Sequence, residues 1–443
     1  SNSQSQPISY DPKIRSRGAK TSQESQLKLD GPLTLQDAIK LALTYNRDLR
    51  SVMEERSIAA GVEMSAFAGN LPSVQLLAGY TRISEGDRLE FAGTTVEFGA
   101  LDNYSVDLRV EQPIYRGGAV VAQTRAAQLK SLIADRIVQQ KLQETVFAVT
   151  EAYYEVLLSQ MLSAASHDAV ESAKLHRQNV DKKKEQGLAT EYDQLRAEVE
   201  VANLEAEDRE QHNLLDLKNT ALLGKLDAAF DSRVTLKDAL QYKPYTIEPD
   251  AAVARAFAER PDLQAGRAGI AENREVLEAD HAQYYPQVNT FFQQSWQRPS
   301  PTNLMSDAWD DRWQAGLQLR WNLFDGLARE GQIRQDRARL QQRQFQQEDL
   351  ERKIVVEIRQ ATLQLKNAEA MVAAQELNLQ RAKQALTLAE DGVQRGLLTT
   401  LDLSETRTAV TLASSFYYRA LFQHIMAKAT LQRAMGVLES APK

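Results

Sequence analysis

The chain contains no cysteine, so neither a disulfide framework nor a thiolate site is available to it. No run of 18 apolar residues occurs anywhere in it, which excludes a transmembrane helix. A transmembrane β-barrel stays open, because barrel strands are short and alternate in polarity. A basic excess is also missing: 53 Lys and Arg against 60 Asp and Glu give a formal net charge of −7, which argues against a nucleic-acid partner. Proline is absent between Pro113 and Pro244 and again between Pro301 and Pro442, and glycine is absent between Gly118 and Gly187. Stretches of this length without helix breakers point to long helices. Ser1-Asn2-Ser3-Gln4 has neither a basic n-region nor an apolar h-region, so the chain is read as beginning after any signal peptide. Residues 1–32, polar and rich in Ser and Gln, are expected to be disordered or wrapped on the surface.

What is present is a repeat. Asp48-Leu49 is matched by Asp262-Leu263, and Pro72-Ser73-Val74 by Pro286-Gln287-Val288, both 214 residues on. Ile114-Tyr115-Arg116-Gly117 matches Leu323-Phe324-Asp325-Gly326, and Gly187-Leu188-Ala189-Thr190 matches Gly396-Leu397-Leu398-Thr399, both 209 residues on. Anchors in the same order at nearly constant offset indicate a duplication. It spans residues 33–225 and 247–437, with a linker over 226–246 and a tail at 438–443.

Each copy reads in the same order. A first helix opens with Thr34 and Asp37 at capping spacing, or with Pro249 in a first turn, and stops before Pro72 or Pro286. Strands follow at about 74–82 and 104–112, and at 288–296 and 313–321. The period of two is clearest where Tyr104, Val106, Leu108 and Val110 alternate with Ser105, Asp107, Arg109 and Glu111. Long helices over 118–186 and 327–395 come next, on the order of 100 Å each at 1.5 Å per residue. Leu142, Val146, Val149, Tyr153 and Val156 recur at steps of four and three, the coiled-coil period. Such a stripe is expected to pack along other long helices. Tips at 187–190 and 396–399 reverse the chain, with Gly187 and Gly396 at the helix ends and Thr190–Asp193 and Thr399–Asp402 as capping boxes for the returning helices.

Alternation alone fits an ordinary hairpin with one face on a soluble core equally well. Two features favour a bilayer. The strands have the length of a tilted membrane-crossing strand. Aromatics also gather at their ends, Trp296 and Trp313 beside the loop and Tyr284, Tyr285, Trp321 and Phe324 at the other end, as interfacial girdles do. Four strands cannot close a barrel, and an open edge in lipid leaves backbone groups unsatisfied. Several chains would then share one barrel.

The order helix, two strands, long helix, tip and return helix, repeated with Asn46-Arg47-Asp48-Leu49, Arg260-Pro261-Asp262-Leu263, Gly187-Leu188 and Gly396-Leu397, resembles the TolC-like outer-membrane efflux proteins over nearly the whole chain. The resemblance implies a mainly α fold with a small β part. It implies a homotrimer with a twelve-stranded transmembrane β-barrel in the bacterial outer membrane, continued by a twelve-helix tunnel across the periplasm. The implied function is passive conduction in a tripartite efflux or type I secretion system. The implied partners are a periplasmic adaptor, an inner-membrane pump and outer-membrane lipid. The linker 226–246 would match the equatorial region. A soluble coiled-coil scaffold is the competing reading. It explains the long helices but not the aromatic-ended strands in both copies.

No catalytic or cofactor-binding constellation is present, and the chain is read as a non-enzyme without cofactor. His167, His176, His212, His281 and His424 lie far apart without metal-ligand spacing. Lys182-Lys183-Lys184 is read as a solvated face that, in a channel, lies where a partner docks. Gly187, Leu188, Asp193, Gly396 and Leu397 form the candidate adaptor-docking tips. Asp402 and Glu405, three residues apart, share a helix face. They read as a cap plus a surface charge from spacing, and as the periplasmic gate by resemblance, with glutamate at the second position departing from the family's pattern.

Overall fold

The computed structural model describes residues 28–438 except 86, 92, 93, 99 and 301–306, with the backbone alone at 30 and over 87–91 and 94–98. Expectations for residues 1–27 and 439–443 fall outside the described residues. Strand β1 (Asp30–Leu33) leads to helices α1 (Leu35–Tyr45) and α2 (Arg47–Ala68). Strands β2 (Ser73–Arg82), β3 (Asp87–Phe91), β4 (Thr94–Phe98) and β5 (Asp102–Arg116) follow, then α3 (Ala119–Glu185) and α4 (Glu191–Leu226). After β6 (Arg233–Leu236) come α5 (Pro249–Glu259), α6 (Pro261–His281), β7 (Gln287–Arg298), β8 (Asp310–Arg320), α7 (Ala328–Gln394) and α8 (Thr400–Ala434). The chain is mainly helical, and none of its described helices is apolar enough to cross a membrane.

The first helix of each copy is two helices. At Asn46 the backbone leaves the helical region (ψ 119°), and its side-chain Oδ1 accepts the N–H of Leu49 at 2.9 Å, which restarts α2. At Arg260 (ψ 122°) the restart uses Pro261 in the first turn. The Arg260 guanidinium there is held by Asp262 at 2.8 Å and Glu357 at 2.7 Å. The first break carries no proline, whereas Pro261 marks the second one in the sequence itself.

By contacts the chain divides into two compact units. One comprises residues 28–50, 142–252 and 358–438 of those described. In it β1 pairs with β6 in parallel, Leu33 opposite Leu236. The α3 stripe of Val146, Val149, Tyr153 and Val156 is buried in a cluster with Ile39 of α1 and with Leu222 and Leu226 of α4. Much of that seam is therefore satisfied inside one chain. Tyr153, fully buried, donates its hydroxyl to Asp238 Oδ2 at 2.8 Å, with the Leu33 carbonyl 2.9 Å away. Asp238 also accepts the first free N–H of α1, from Leu35, at 2.8 Å. Burial and the neighbouring carboxylate raise the Tyr153 pKa, so the phenol is a permanent donor that joins β6, β1 and α3.

The other unit comprises residues 51–141 and 253–357. Its main sheet has the order β2-β5-β7-β8, all antiparallel, with β2 and β8 as edges that no other strand pairs among the described residues. A separate pair, β3 with β4, lies between 83 and 103, where sequence reading placed no strand. Below the sheet Gly117 (φ +63°) takes a left-handed turn, and a Cβ there would strike the Ala282 carbonyl oxygen and approach Tyr285 Cβ to 2.9 Å. The second copy repeats the two left-handed residues Gly117 and Gly118 as Gly326 and Leu327, both at φ +71°. Leu327 thus holds a conformation that costs a β-carbon-bearing residue about 1 kcal/mol.

Asp280 on α6 and Asp336 on α7 face one another. Burial alone would raise Asp336, but hydrogen bonds from Asp280, Arg339 and Gln332 outweigh it and hold its pKa below the usual range. Asp280 is pushed up to about 6, by burial first and then by Asp336. The native state therefore keeps a proton that the unfolded chain releases near pH 4. That contribution to stability is complete below about pH 4 and lost as pH rises to about 6. Thermal melts between pH 4 and 7 should show the native midpoint falling and that of Asp280→Asn, which cannot ionise, falling less. Parallel profiles would mean that the pair shares no proton.

Candidate functional site: hairpin tips and an amphipathic sheet

Both tips are built alike. The N–H of Leu188 reaches back to the Lys183 carbonyl (2.8 Å) and that of Gly187 to Lys184 (2.9 Å), with Gly187 at φ +72°. Leu397 to Gly392 (2.8 Å) and Gly396 to Val393 (3.2 Å) repeat the pattern, with Gly396 at φ +74°. This is the Schellman closure, which satisfies carbonyls left over at a helix end and needs a left-handed residue. Capping boxes then start the returning helices. Asp193 accepts from the Thr190 N–H at 2.9 Å, and Asp402 from Thr399 at 2.8 Å, while each threonine oxygen accepts from the aspartate N–H. The chain turns so tightly that Leu188 and Leu397 are left 73% and 77% exposed. In the second tip Leu398 folds over Gly392, where a Cβ would sit 2.7 Å from its Cδ1. In the first tip Lys184 donates to Gln194 at 2.5 Å, while Lys182 and Lys183 are exposed.

Hydrogen bonds from the Thr399 hydroxyl and backbone hold the Asp402 carboxyl below the usual range, so it is charged at any physiological pH. Glu405 is exposed on the same helix. The neighbouring Ser404 donates to Glu200 on α4 at 2.6 Å, and Arg407 lies 3.8 Å from Glu390 on α7. These contacts fix the rotation of α8 in this unit.

The sheet in the other unit has two unlike faces. Leu76, Leu108, Gln294 and Trp313 share one row across the four strands, and Val74, Val110, Phe292 and Ala315 the next row on that face. On the opposite face Gln75, Arg109, Gln293 and Gln314 share a row. That face is hydrogen-bonded across strands: Gln293 donates to Asp107 (3.1 Å), Asn289 to Glu111 (3.0 Å) and Gln314 to Gln293 (3.1 Å). Trp313 stacks near Phe292 with centroids 6.4 Å apart, and Trp296 lies half-buried on β7. Trp321 and Phe324 lie just past the end of β8, 53% and 79% exposed, with the Trp321 Nε1 donating to the Tyr284 carbonyl at 3.1 Å. Sequence reading missed the aromatics that join Trp313 at the loop end. Tyr80, Tyr104 and Trp309 form a chain of rings 5.1 and 6.3 Å apart. Their signal, an aromatic near each strand end, was there to be read.

Among the described residues no group of His, Cys, Asp and Glu is arranged to hold a metal ion. His424 is buried beside the Tyr242 ring, 3.9 Å from Glu369, and burial lowers its pKa. It reads as a core residue.

Comparison with known proteins agrees with this architecture. The family described as outer membrane efflux protein matches twice, over residues 38–223 and 252–437. The chain is 23% identical over 423 residues to the alkaline protease secretion protein AprF of Pseudomonas aeruginosa, covering 92% of this chain and 85% of that one. It is 24% identical over 389 residues to the proteases secretion protein PrtF of Dickeya chrysanthemi, covering 83% and 80%. Among solved structures it resembles the Campylobacter jejuni CmeC outer membrane channel (TM-score 0.79, 15% identity, 92% of this chain and 87% of that one). It also resembles the Vibrio cholerae outer membrane protein VceC (TM-score 0.75, 21% identity, 91% and 96%). The chain belongs to the outer membrane efflux protein family and is an outer-membrane exit channel, a transport protein and not an enzyme.

Proposed function

We propose that three copies of this chain form one duct, each giving four strands to a closed barrel and its helices to a tunnel. The observation that carries this reading is the amphipathic sheet with two free edges, which lipid does not tolerate open. Tyr104 and Tyr115, both on β5, lie about 36 Å apart along the strand at ~3.3 Å per residue. A tilt of roughly 40° shortens that to about 28 Å, close to an apolar band of about 25 Å between aromatic girdles. Trp296 and Trp313 would face one interface, and Trp321 and Phe324 the other. The apolar face then meets lipid and the hydrogen-bonded face lines the water-filled lumen.

The tips, at Gly187, Leu188, Asp193, Gly396 and Leu397, dock a periplasmic adaptor, which links the duct to an inner-membrane pump. Asp402 and Glu405 line the narrow periplasmic end as a ring of six carboxylates. The duct itself selects little. The names of the two curated relatives, both protease secretion proteins, favour a polypeptide cargo over a small molecule.

Light scattering after size exclusion in detergent is expected to give three chains per particle. A monodisperse monomer that retains its strand content would overturn the architecture.

A further inference from the structure

One cavity in the unit of residues 28–50, 142–252 and 358–438 has no role in the duct. It measures about 460 Å³, a volume typical of small-molecule sites. Helices α1 and α3 give it an apolar wall of Leu35, Ile39 and Val146, to which α8 adds Ile425 and Ala429. The segment after β6 contributes Lys237, Asp238 and Lys243, and α8 contributes His424, Lys428 and Gln432. Those last three fall four residues apart, which puts them on one helix face. The Lys237 N–H donates to the Leu33 carbonyl at 3.1 Å, which carries the β1–β6 pairing one bond further and fixes the backbone of that lysine.

Charge in this wall is unbalanced. Three lysines face the cavity with Asp238 as the single carboxylate among its lining residues. The Asp238 Oδ2 already accepts from the Tyr153 hydroxyl and the Leu35 N–H. Among the described residues none of the three ammonium groups has a carboxylate within ion-pair distance, and that of Lys428 lies over the Tyr245 ring, 5.2 Å from its centroid. His424 is 1% exposed, with its ring 4.7 Å from that of Tyr242, and neither ring nitrogen has a hydrogen-bond partner. Glu369, which accepts from the Tyr245 N–H at 3.5 Å, lies 3.9 Å from the His424 Nε2, beyond hydrogen-bond reach. Burial lowers the pKa of the imidazole, so the ring is neutral at physiological pH, one nitrogen a donor and the other an acceptor. A buried polar group without a partner favours a ligand that supplies one.

We propose that this cavity, walled by Lys237, Lys243, Lys428 and His424, binds a phosphate monoester with a short apolar body. A phosphomonoester carries about −1.5 to −2 charges at neutral pH, which matches the excess of lysines over the lone carboxylate. Its oxygens suit ammonium groups that have no acceptor in the protein. Its carbon chain suits the wall of Leu35, Ile39 and Val146. The ligand is soluble rather than a membrane lipid, because the cavity belongs to the unit that lacks the amphipathic sheet. One chain supplies every group named.

Titration calorimetry of the full chain in a neutral detergent, with hexyl phosphate as the probe, should give one saturable site per chain. Inorganic phosphate and hexanol, each with half of the ligand's chemistry, should bind at least tenfold more weakly. Dioleoyl phosphatidate mixed into the detergent should not displace the probe. Lys237→Gln/Lys428→Gln should weaken binding of hexyl phosphate at least tenfold, and His424→Phe, which keeps a ring against Tyr242, several-fold. Lys182→Gln/Lys183→Gln at the first tip removes the same charge elsewhere and should leave the affinity unchanged. The ligand comparison uses the natural chain, so it decides the matter even where a variant fails to fold. Equal affinity for inorganic phosphate would reduce the lysines to solvated surface charge, and equal affinity for hexanol would make the cavity an apolar cleft. Either result overturns the proposal, as would the absence of saturable heat or an unchanged affinity in the folded double-lysine variant. Displacement by phosphatidate would replace the soluble ligand with a lipid headgroup, and full affinity in His424→Phe would remove the imidazole from the site.

Discussion

Replacing Leu188 and Leu397 together with aspartate is expected to abolish export while the protein stays folded and trimeric. Both leucines are the first residue after a left-handed glycine, about three-quarters exposed. Their backbone N–H groups complete the helix closure, but their side chains do not. The fold therefore does not depend on those side chains. An apolar side chain held out on a rigid hairpin end is suited to a hydrophobic seat on a partner's helices. A carboxylate in such a seat is desolvated without a counter-charge, at a cost of about 3 kcal/mol or more, and about 2 kcal/mol already weakens binding roughly 30-fold. Export assays on cells and adaptor pull-downs on purified protein should both fall to background. Helical content, by circular dichroism, should not change. Full export by this variant would put the docking surface elsewhere.

The second large effect is expected at Asp402 and Glu405. Alanine at Asp402 would remove the charge and the helix cap together, since the carboxylate accepts from the Thr399 backbone at 2.8 Å. The informative variant is Asp402→Asn/Glu405→Gln, in which the amide oxygen of the introduced asparagine can still take the cap hydrogen bond. In a trimer it removes six negative charges from one ring. Like charges around a narrow opening attract cations and bind multivalent ones most strongly. The ratio of cation to anion permeability in planar-bilayer recordings should drop several-fold, and block by divalent and trivalent cations should weaken by about tenfold or more. Barrel insertion should not change. Unaltered selectivity and block in the variant would reduce the pair to a cap and a surface charge.

Much of this molecule is local, and what is local was legible. The tips follow from Gly187 and Gly396 and from threonine–aspartate spacings of three, because a Schellman closure and a capping box are each decided within about six residues. The long helices follow from missing breakers and a steady apolar period. The alternation of β5 follows from the pleat. What only the tertiary structure decided has no local signature. Asp238 meets Tyr153 across 85 positions of chain, and nothing near either residue marks the other. Arg260 finds Glu357 across 97 positions, and nothing near either residue marks that pair. Asp280 and Asp336 read as unrelated carboxylates until α6 and α7 bring them together, which raises the pKa of the first and lowers that of the second. The sheet order β2-β5-β7-β8 likewise depends on β5 choosing β7 as its second neighbour, a pairing between repeats set by how the two hairpins pack. That same choice leaves β2 and β8 unpaired, the edges a second copy would cover.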